Sequence, residues 1–166
     1  MVEIEGERVL APSCRRTPTS GMKVTTNNER TKTTRKMVLE LLLADQPEKV
    51  KAHDPESLLW HWIDSAGLGG SRFPVRDETP VPDTSHSAMS VNLDACIHCN
   101  LCVRACREVQ VNDVIGMAHR GAESQIIFDM NDPMGDSTCV ACGECVQACP
   151  TGALMPKALL DDDQVF

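Results

Sequence analysis

The chain has 166 residues and a formal net charge of −8, and eight of its nine cysteines fall between Cys96 and Cys149. That length suits one ordinary domain, or a small domain with an appended segment, and leaves no room for a large enzyme. The acidic balance argues against a general nucleic-acid binder, which needs a basic face. Residues 1–51 carry 10 basic against 7 acidic side chains, residues 52–94 carry 2 against 7, and residues 95–166 carry 4 against 10. The negative charge therefore belongs to the middle of the chain and to its cysteine-rich end.

The N-terminus, with Glu3, Glu5 and Glu7, lacks the apolar core of a secretory signal. No run approaches the roughly 18 apolar residues of a membrane helix. The expectation is a cytoplasmic protein without membrane insertion, in which clustered cysteines are metal ligands rather than disulfides. With three Phe, two Trp and no Tyr, Leu, Ile and Val must supply most of the core, and a metal framework would offset that shortage.

In chain order, Val2 and Ile4, the turn signal Glu5-Gly6-Glu7, and then Val9 and Leu10 predict a short hairpin ending near Cys14. Pro12, Pro18 and Gly21 break the pattern, and Met22 to Thr26 predicts one more strand. Asn27-Asn28-Glu29 reads as a helix N-cap. A basic run follows, then Met37, Val38, Leu41, Leu42 and Leu43 at helical spacing, with Pro47 as the stop. A helix over 29–46 is expected, its Leu-rich face turned to the core. Residues 47–90 hold five prolines with Gly67, Gly69 and Gly70 and read as a linker containing one short helix from Glu56 to Ser65. Gly67 to Gly70 lacks the spacing of a phosphate loop and reads as a helix stop. His53, His61 and His86 in this region read as surface or hydrogen-bonded residues rather than ligands.

An internal repeat begins at residue 91. Cys96, Cys99, Cys102 and Cys106 align with Cys139, Cys142, Cys145 and Cys149, giving C-x2-C-x2-C-x3-C twice at a period of 43 residues. Three cysteines at this spacing can wrap three corners of a cubane [4Fe-4S] cluster, and in two-cluster ferredoxins the fourth ligates the other cluster. The expected ligand sets are therefore Cys96, Cys99, Cys102 and Cys149 for one cluster, and Cys139, Cys142, Cys145 and Cys106 for the other. Structural zinc takes two separated C-x2-C pairs, which this is not. Pro150 after Cys149 fits the C-P ending of the bacterial signature, whereas Arg107 follows Cys106. Val114–Met117, Gln125–Phe128, Ala153–Met155 and Val91–Leu93 predict one small antiparallel sheet. His98, inside the first cysteine loop, is expected beside its cluster rather than as a ligand. Clusters saturated by thiolates offer no open iron to a substrate, so the expected activity is single-electron relay.

The stretch from Val91 to Leu154, VNLDACIHCNLCVRACREVQVNDVIG and STCVACGECVQACPTGAL above all, resembles the two-cluster ferredoxin module of the molybdenum- or tungsten-dependent, NAD-linked formate dehydrogenase alpha subunit. Iron-only hydrogenases and the large iron–sulfur subunit of complex I carry a similar module. VEIEGERVLAPSCRRTP resembles the last segment of the plant-type [2Fe-2S] domain that opens such subunits, and Cys14 matches its fourth ligand. Its three partners would precede Met1, so Cys14 is expected to hold no [2Fe-2S] cluster in this chain alone. The family's histidine-and-cysteine cluster site is unmatched, since residues 47–90 contain no cysteine.

The resemblance implies an α+β fold: a two-cluster bacterial ferredoxin-like domain preceded by a partial β-grasp [2Fe-2S] domain remnant and a helix. The expected divisions are the remnant at 1–28, helix and linker at 29–90, the ferredoxin domain with two [4Fe-4S] clusters at 91–158, and an acidic tail at 159–166. It also implies two partners, a catalytic molybdopterin or tungstopterin formate dehydrogenase portion and a flavin- and NAD-binding subunit. Past Phe166 the family continues into its catalytic domain, so the chain is read as a fragment of a longer subunit or a stand-alone relay subunit without a catalytic site. An electron-relay domain of an iron-only hydrogenase and a zinc-stabilised interaction module are the alternatives.

Overall fold

No strand among the described residues is longer than four residues, because turn residues interrupt every alternating run. The computed structural model describes residues 1–76 and 79–160, so nearly all of the expected acidic tail lies outside the described residues. Met1–Ala44 with Ile63–Pro74 forms one unit, and Asp45–Trp62 with Val75–Phe166 forms another.

In the first unit, β1 (Glu3–Ile4) pairs antiparallel with β2 (Val24–Thr25), Ile4 opposite Val24. The second arm expected at Val9 and Leu10 shrinks to a single bridge between Val2 and Ala11. Pro12 has no amide with which to extend that ladder. Val2, Ile4 and Ala11 are buried, with Met22 packed against them. Helix α1 (Glu29–Ala44) starts where its cap predicts: Asn28 Oδ1 accepts from the Thr31 amide at 2.9 Å. Asn28 also donates to Glu3, which Arg30 grips at 2.8 Å. These bonds from Arg30 and Asn28 hold the Glu3 carboxyl below the usual range and tie the helix start to β1.

The Leu-rich face of α1 departs from expectation. Met37, Val38 and Leu41 are 42%, 45% and 50% exposed, and of the five apolar positions only Leu43 is buried. Strands of two residues offer too little apolar surface to cover a helix of 16. Helix α2 (Leu58–Ser65) matches the short helix expected in the linker. The stop at Gly67 holds as well, its amide bonding Asp64 O at 2.9 Å while Leu68 reaches back to Ile63 O at 3.2 Å.

In the second unit, β3 (Met89–Val91) pairs antiparallel with β6 (Leu154–Pro156), and β4 (Ile115–Ala118) with β5 (Gln125–Phe128). The strands fall within two residues of expectation, but they form two separate ribbons rather than one sheet. The cysteine loops occupy the chain between the ribbons, and the thiols enter the core: Cys102, Cys106 and Cys145 are buried with Met89, Val91, Ile115, Ile126, Phe128 and Leu154. His86 is structural, its Nδ1 accepting the Ala88 and Met89 amides at 3.1 and 3.2 Å at the start of β3.

One lock joins residues far apart in sequence. Asp83 Oδ1 accepts from the Ser85 amide at 2.9 Å and Oδ2 from the Met134 amide at 2.7 Å. Burial opposes the Asp83 charge, yet hydrogen bonding from the Ser85 side chain, together with these two amides, prevails and keeps its pKa low. A Cβ on Gly135 would stand 2.6 Å from the Ser85 carbonyl carbon and oxygen. Gly135→Ala should therefore lower stability by about 1–3 kcal/mol, the usual cost of overpacking, as read from denaturant unfolding of the loaded protein.

His53 supplies a pH dependence. Asn92 Oδ1 accepts from the Asp94 amide at 3.2 Å, so Asn92 Nδ2 faces His53 Nε2 at 3.0 Å and the ring accepts. Desolvation of this buried ring lowers its pKa from 6.5 to about 4. The unfolded chain takes up the proton first as pH falls, so the stability His53 contributes is complete above pH 6.5 and is lost progressively toward pH 4. Unfolding midpoints measured across that window should fall more steeply in the natural chain than in His53→Asn.

Candidate metal centre

Two loops built alike present the cysteines. In the first, His98 and Asn100 adopt positive φ of 52° and 62°; at the matching positions of the second, Ala141 and Gly143 do so at 57° and 79°. This curl turns one amide in each loop onto the leading sulfur: His98 N to Cys96 Sγ and Ala141 N to Cys139 Sγ, both at 3.4 Å. Amide bonds of this kind favour a thiolate over a thiol. His98 is itself exposed, and its backbone makes the contact.

Each loop runs into a short helix, α3 (Leu101–Arg104) and α4 (Glu144–Ala148), whose first turn carries Cys102 or Cys145. The fourth cysteines leave these helices differently. After α3 the chain widens into a π-helical turn, Ala105–Val109, which carries Cys106. Cys149 stands just past α4 in extended backbone, φ −76° and ψ 120°. Pro150 is the reason, since the residue before proline is pushed out of the helical region. Arg107, which replaces proline after Cys106, permits the π turn and pairs with Asp113 at 2.6 Å. Cys106 Sγ accepts the Val114 amide at 3.3 Å, and Cys149 Sγ lies 3.6 Å from Thr151 Oγ1. Thr151 and Val114 were invisible as site residues, because a backbone amide and a lone hydroxyl leave no spacing signal.

The structure brings the cysteines together across the repeats. Cys96, Cys99, Cys102 and Cys149 line one cavity, walled by Leu93, Ile126 and Leu154. Burial pushes the Cys102 thiol up to about 12, and the negative charges of Cys96, Cys149 and Cys99 add to the shift. Burial likewise raises Cys96. Cys145 is pushed up to about 12 by burial and then by Cys139 and Cys142, with Cys106 contributing. Each set is thus a group of mutually repelling thiolates in a low-dielectric wall, and only a positively charged group among them makes joint ionisation favourable.

Among the described residues, no three His, Cys, Asp or Glu side chains converge on the position of a single ion. The four thiols surround a volume, and a cluster of several atoms fits that donor set. No helix of the described residues is long and apolar enough to cross a membrane.

Residues 95–153 match the 4Fe-4S dicluster domain family. The chain carries a 4Fe-4S dicluster domain. It is an iron–sulfur electron-transfer module, similar over 93% of its length to the NADP-reducing hydrogenase protein HndD of Solidesulfovibrio fructosivorans, at 36% identity. It is also similar, at 35%, to an NADH-quinone oxidoreductase component of Rhizobium meliloti and, at 27%, to a Staphylococcus haemolyticus protein provisionally named a formate dehydrogenase. The chain spans only 27%, 18% and 16% of those proteins. Among solved structures, the NAD+-reducing [NiFe]-hydrogenase in its H2-reduced state superposes on 95% of this chain and 67% of its own, at a TM-score of 0.85 and 26% identity.

Exposure orders the thiols by reactivity. Cys14, Cys99 and Cys142 are exposed, and Cys102, Cys106 and Cys145 are buried. Brief alkylation of the metal-free, reduced chain should label the first three before the last three. After cluster loading only Cys14 should remain reactive, as mass spectrometry of the labelled peptides would show.

Proposed function

We propose that the 4Fe-4S dicluster domain holds two [4Fe-4S] clusters, one on Cys96, Cys99, Cys102 and Cys149 and one on Cys139, Cys142, Cys145 and Cys106. The meeting of Cys149 with the three cysteines of the first loop in one cavity is the observation that supports this reading. Such a group, when bound, takes up and releases one electron at a time. The chain's own part is to fix the thiolates, to exclude water with Leu93, Ile126 and Leu154, and to aim the His98 and Ala141 amides at sulfur.

The module serves a multisubunit oxidoreductase, carrying electrons between a substrate-oxidising metal portion and a flavin- and NAD-binding partner subunit. Formate oxidation at a molybdopterin or tungstopterin site is the electron source we infer from the cysteine-repeat resemblance. Hydrogen oxidation is the second reading, and the 36% identity to HndD against 27% to the formate dehydrogenase-named protein favours it. In this proposal residues 1–28 are part of a plant-type [2Fe-2S] fold. Cys14, on the exposed turn Ser13–Arg15, would be one ligand of a set whose other members this segment does not contain. Residues 91–158 are the ferredoxin domain.

The chain loaded anaerobically should bind about eight irons and negligible zinc, as two cubanes require. Cys149→Ala should abolish the cluster of the first loop and leave that of the second. Loss of the second-loop cluster instead, seen by site-resolved spectroscopy, would reverse the ligand sets. Purifying the chain with its native partners and assaying NAD(P)+ reduction by formate and by hydrogen separates the two electron sources.

A further inference from the structure

The sequence presents residues 47–90 as a linker, yet Asp45–Trp62 belongs to the same unit as the cysteine repeats. We propose that the segment from Gln46 to Leu59 is a strap that positions Cys149 and so sets the environment of the cluster held by Cys96, Cys99, Cys102 and Cys149. This rests on the ligand sets proposed above.

The strap grips the chain as it leaves Cys149. Leu59 lies in the first turn of α2, where an amide has no acceptor within the helix, and it donates to Pro150 O at 3.0 Å. The carbonyl next to the cysteine thus caps the helix. Two residues further on, Gly152 is packed against the strap: a Cβ there would lie 2.6 Å from Asp54 Cβ and 3.3 Å from Asp54 N, at a φ of +75° that side chains disfavour. His53 completes the grip through Asn92, whose Nδ2 faces the ring at 3.0 Å and whose amide donates to Ala153 O at 2.7 Å.

The strap also reaches the chain as it enters the same set. Gln46 Nε2 donates to Ala95 O, immediately before Cys96, at 3.2 Å. Each of these contacts falls on an end of the first-loop set. Cys149 needs such support, because it stands outside α4 and comes from the other repeat. A ligand on an extended arm is held by what packs on the arm, and partners outside the ligands fix a metal's geometry and its access to solvent. Loosening the arm admits water, which stabilises the more negatively charged reduced cluster and raises its potential.

The test uses the full chain loaded anaerobically, with electron paramagnetic resonance and a redox titration of Gly152→Ala, His53→Ala, His53→Gln and Gln46→Ala. Gly152→Ala and His53→Ala should shift one midpoint upward and change one line shape, at unchanged iron content, and leave the other cluster as it is. The affected cluster should be the one that Cys149→Ala removes, and His53→Gln should return the signal toward that of the natural chain. If Gly152→Ala does not fold, His53→Ala and Gln46→Ala decide by the same criterion. Both clusters shifting together, or stability falling with both spectra unchanged, overturns the strap. Cys149→Ala removing the second-loop signal overturns the ligand sets beneath it, an outcome distinct from the first two.

Discussion

Four thiols from two segments 43 residues apart in their repeat must meet around one volume, and the rest of the second unit is arranged to bring them there. Each loop supplies three cysteines by its own curl, which is local. The fourth must cross, which is not. The two ribbons and the short helices α3 and α4 are what remain of a fold when most of its length is spent delivering ligands. Buried Cys102, Cys106 and Cys145 stand in the core beside Val91, Ile115 and Phe128, so the metal site and the hydrophobic core are one construction. Burial drives the Cys102 and Cys145 thiols up to about 12, so the apo core favours protonated sulfur and the metal must displace those protons. Folding and cluster insertion are for that reason coupled.

The repeats are equal in sequence spacing and unequal in execution. Both loops use positive φ at the same two positions, although one has His98 and Asn100 where the other has Ala141 and Gly143. The shared geometry is dictated by the need to wrap a group of fixed size, so different residues accept the same strain. The exits differ because proline follows only one of them. Pro150 ends α4 and leaves Cys149 extended, whereas Arg107 lets the chain run on into a π turn that carries Cys106. Extra turns of this type recur at functional sites, where they re-aim one side chain without ending the helix.

What the sequence made legible follows the same division. The cysteine repeat was readable from its spacing, and α1 and α2 because Asn28 and Gly67 mark their ends chemically. The strands were readable to within two residues from alternation, but not their grouping into two ribbons, since alternation reports a face and not a neighbour. The exposed Met37, Val38 and Leu41 of α1 mislead for a related reason: periodicity shows that a face is apolar and says nothing about whether enough surface exists to cover it. His53 and Asn92 could not be paired from sequence at all, because 39 residues separate them and neither belongs to a motif.

The linker shows most sharply where reading by composition stops. Prolines and glycines do describe residues 47–90 as irregular backbone, but irregular backbone still has to place its polar groups. Here the first-turn amide of α2 finds its acceptor in Pro150, and the buried ring of His53 finds Asn92. A helix start normally satisfies its amides with its own capping side chain. Drawing one partner instead from the residue after a cysteine makes the helix and the ligand arm a single element. A segment without any cysteine thereby becomes part of how the cysteines are held.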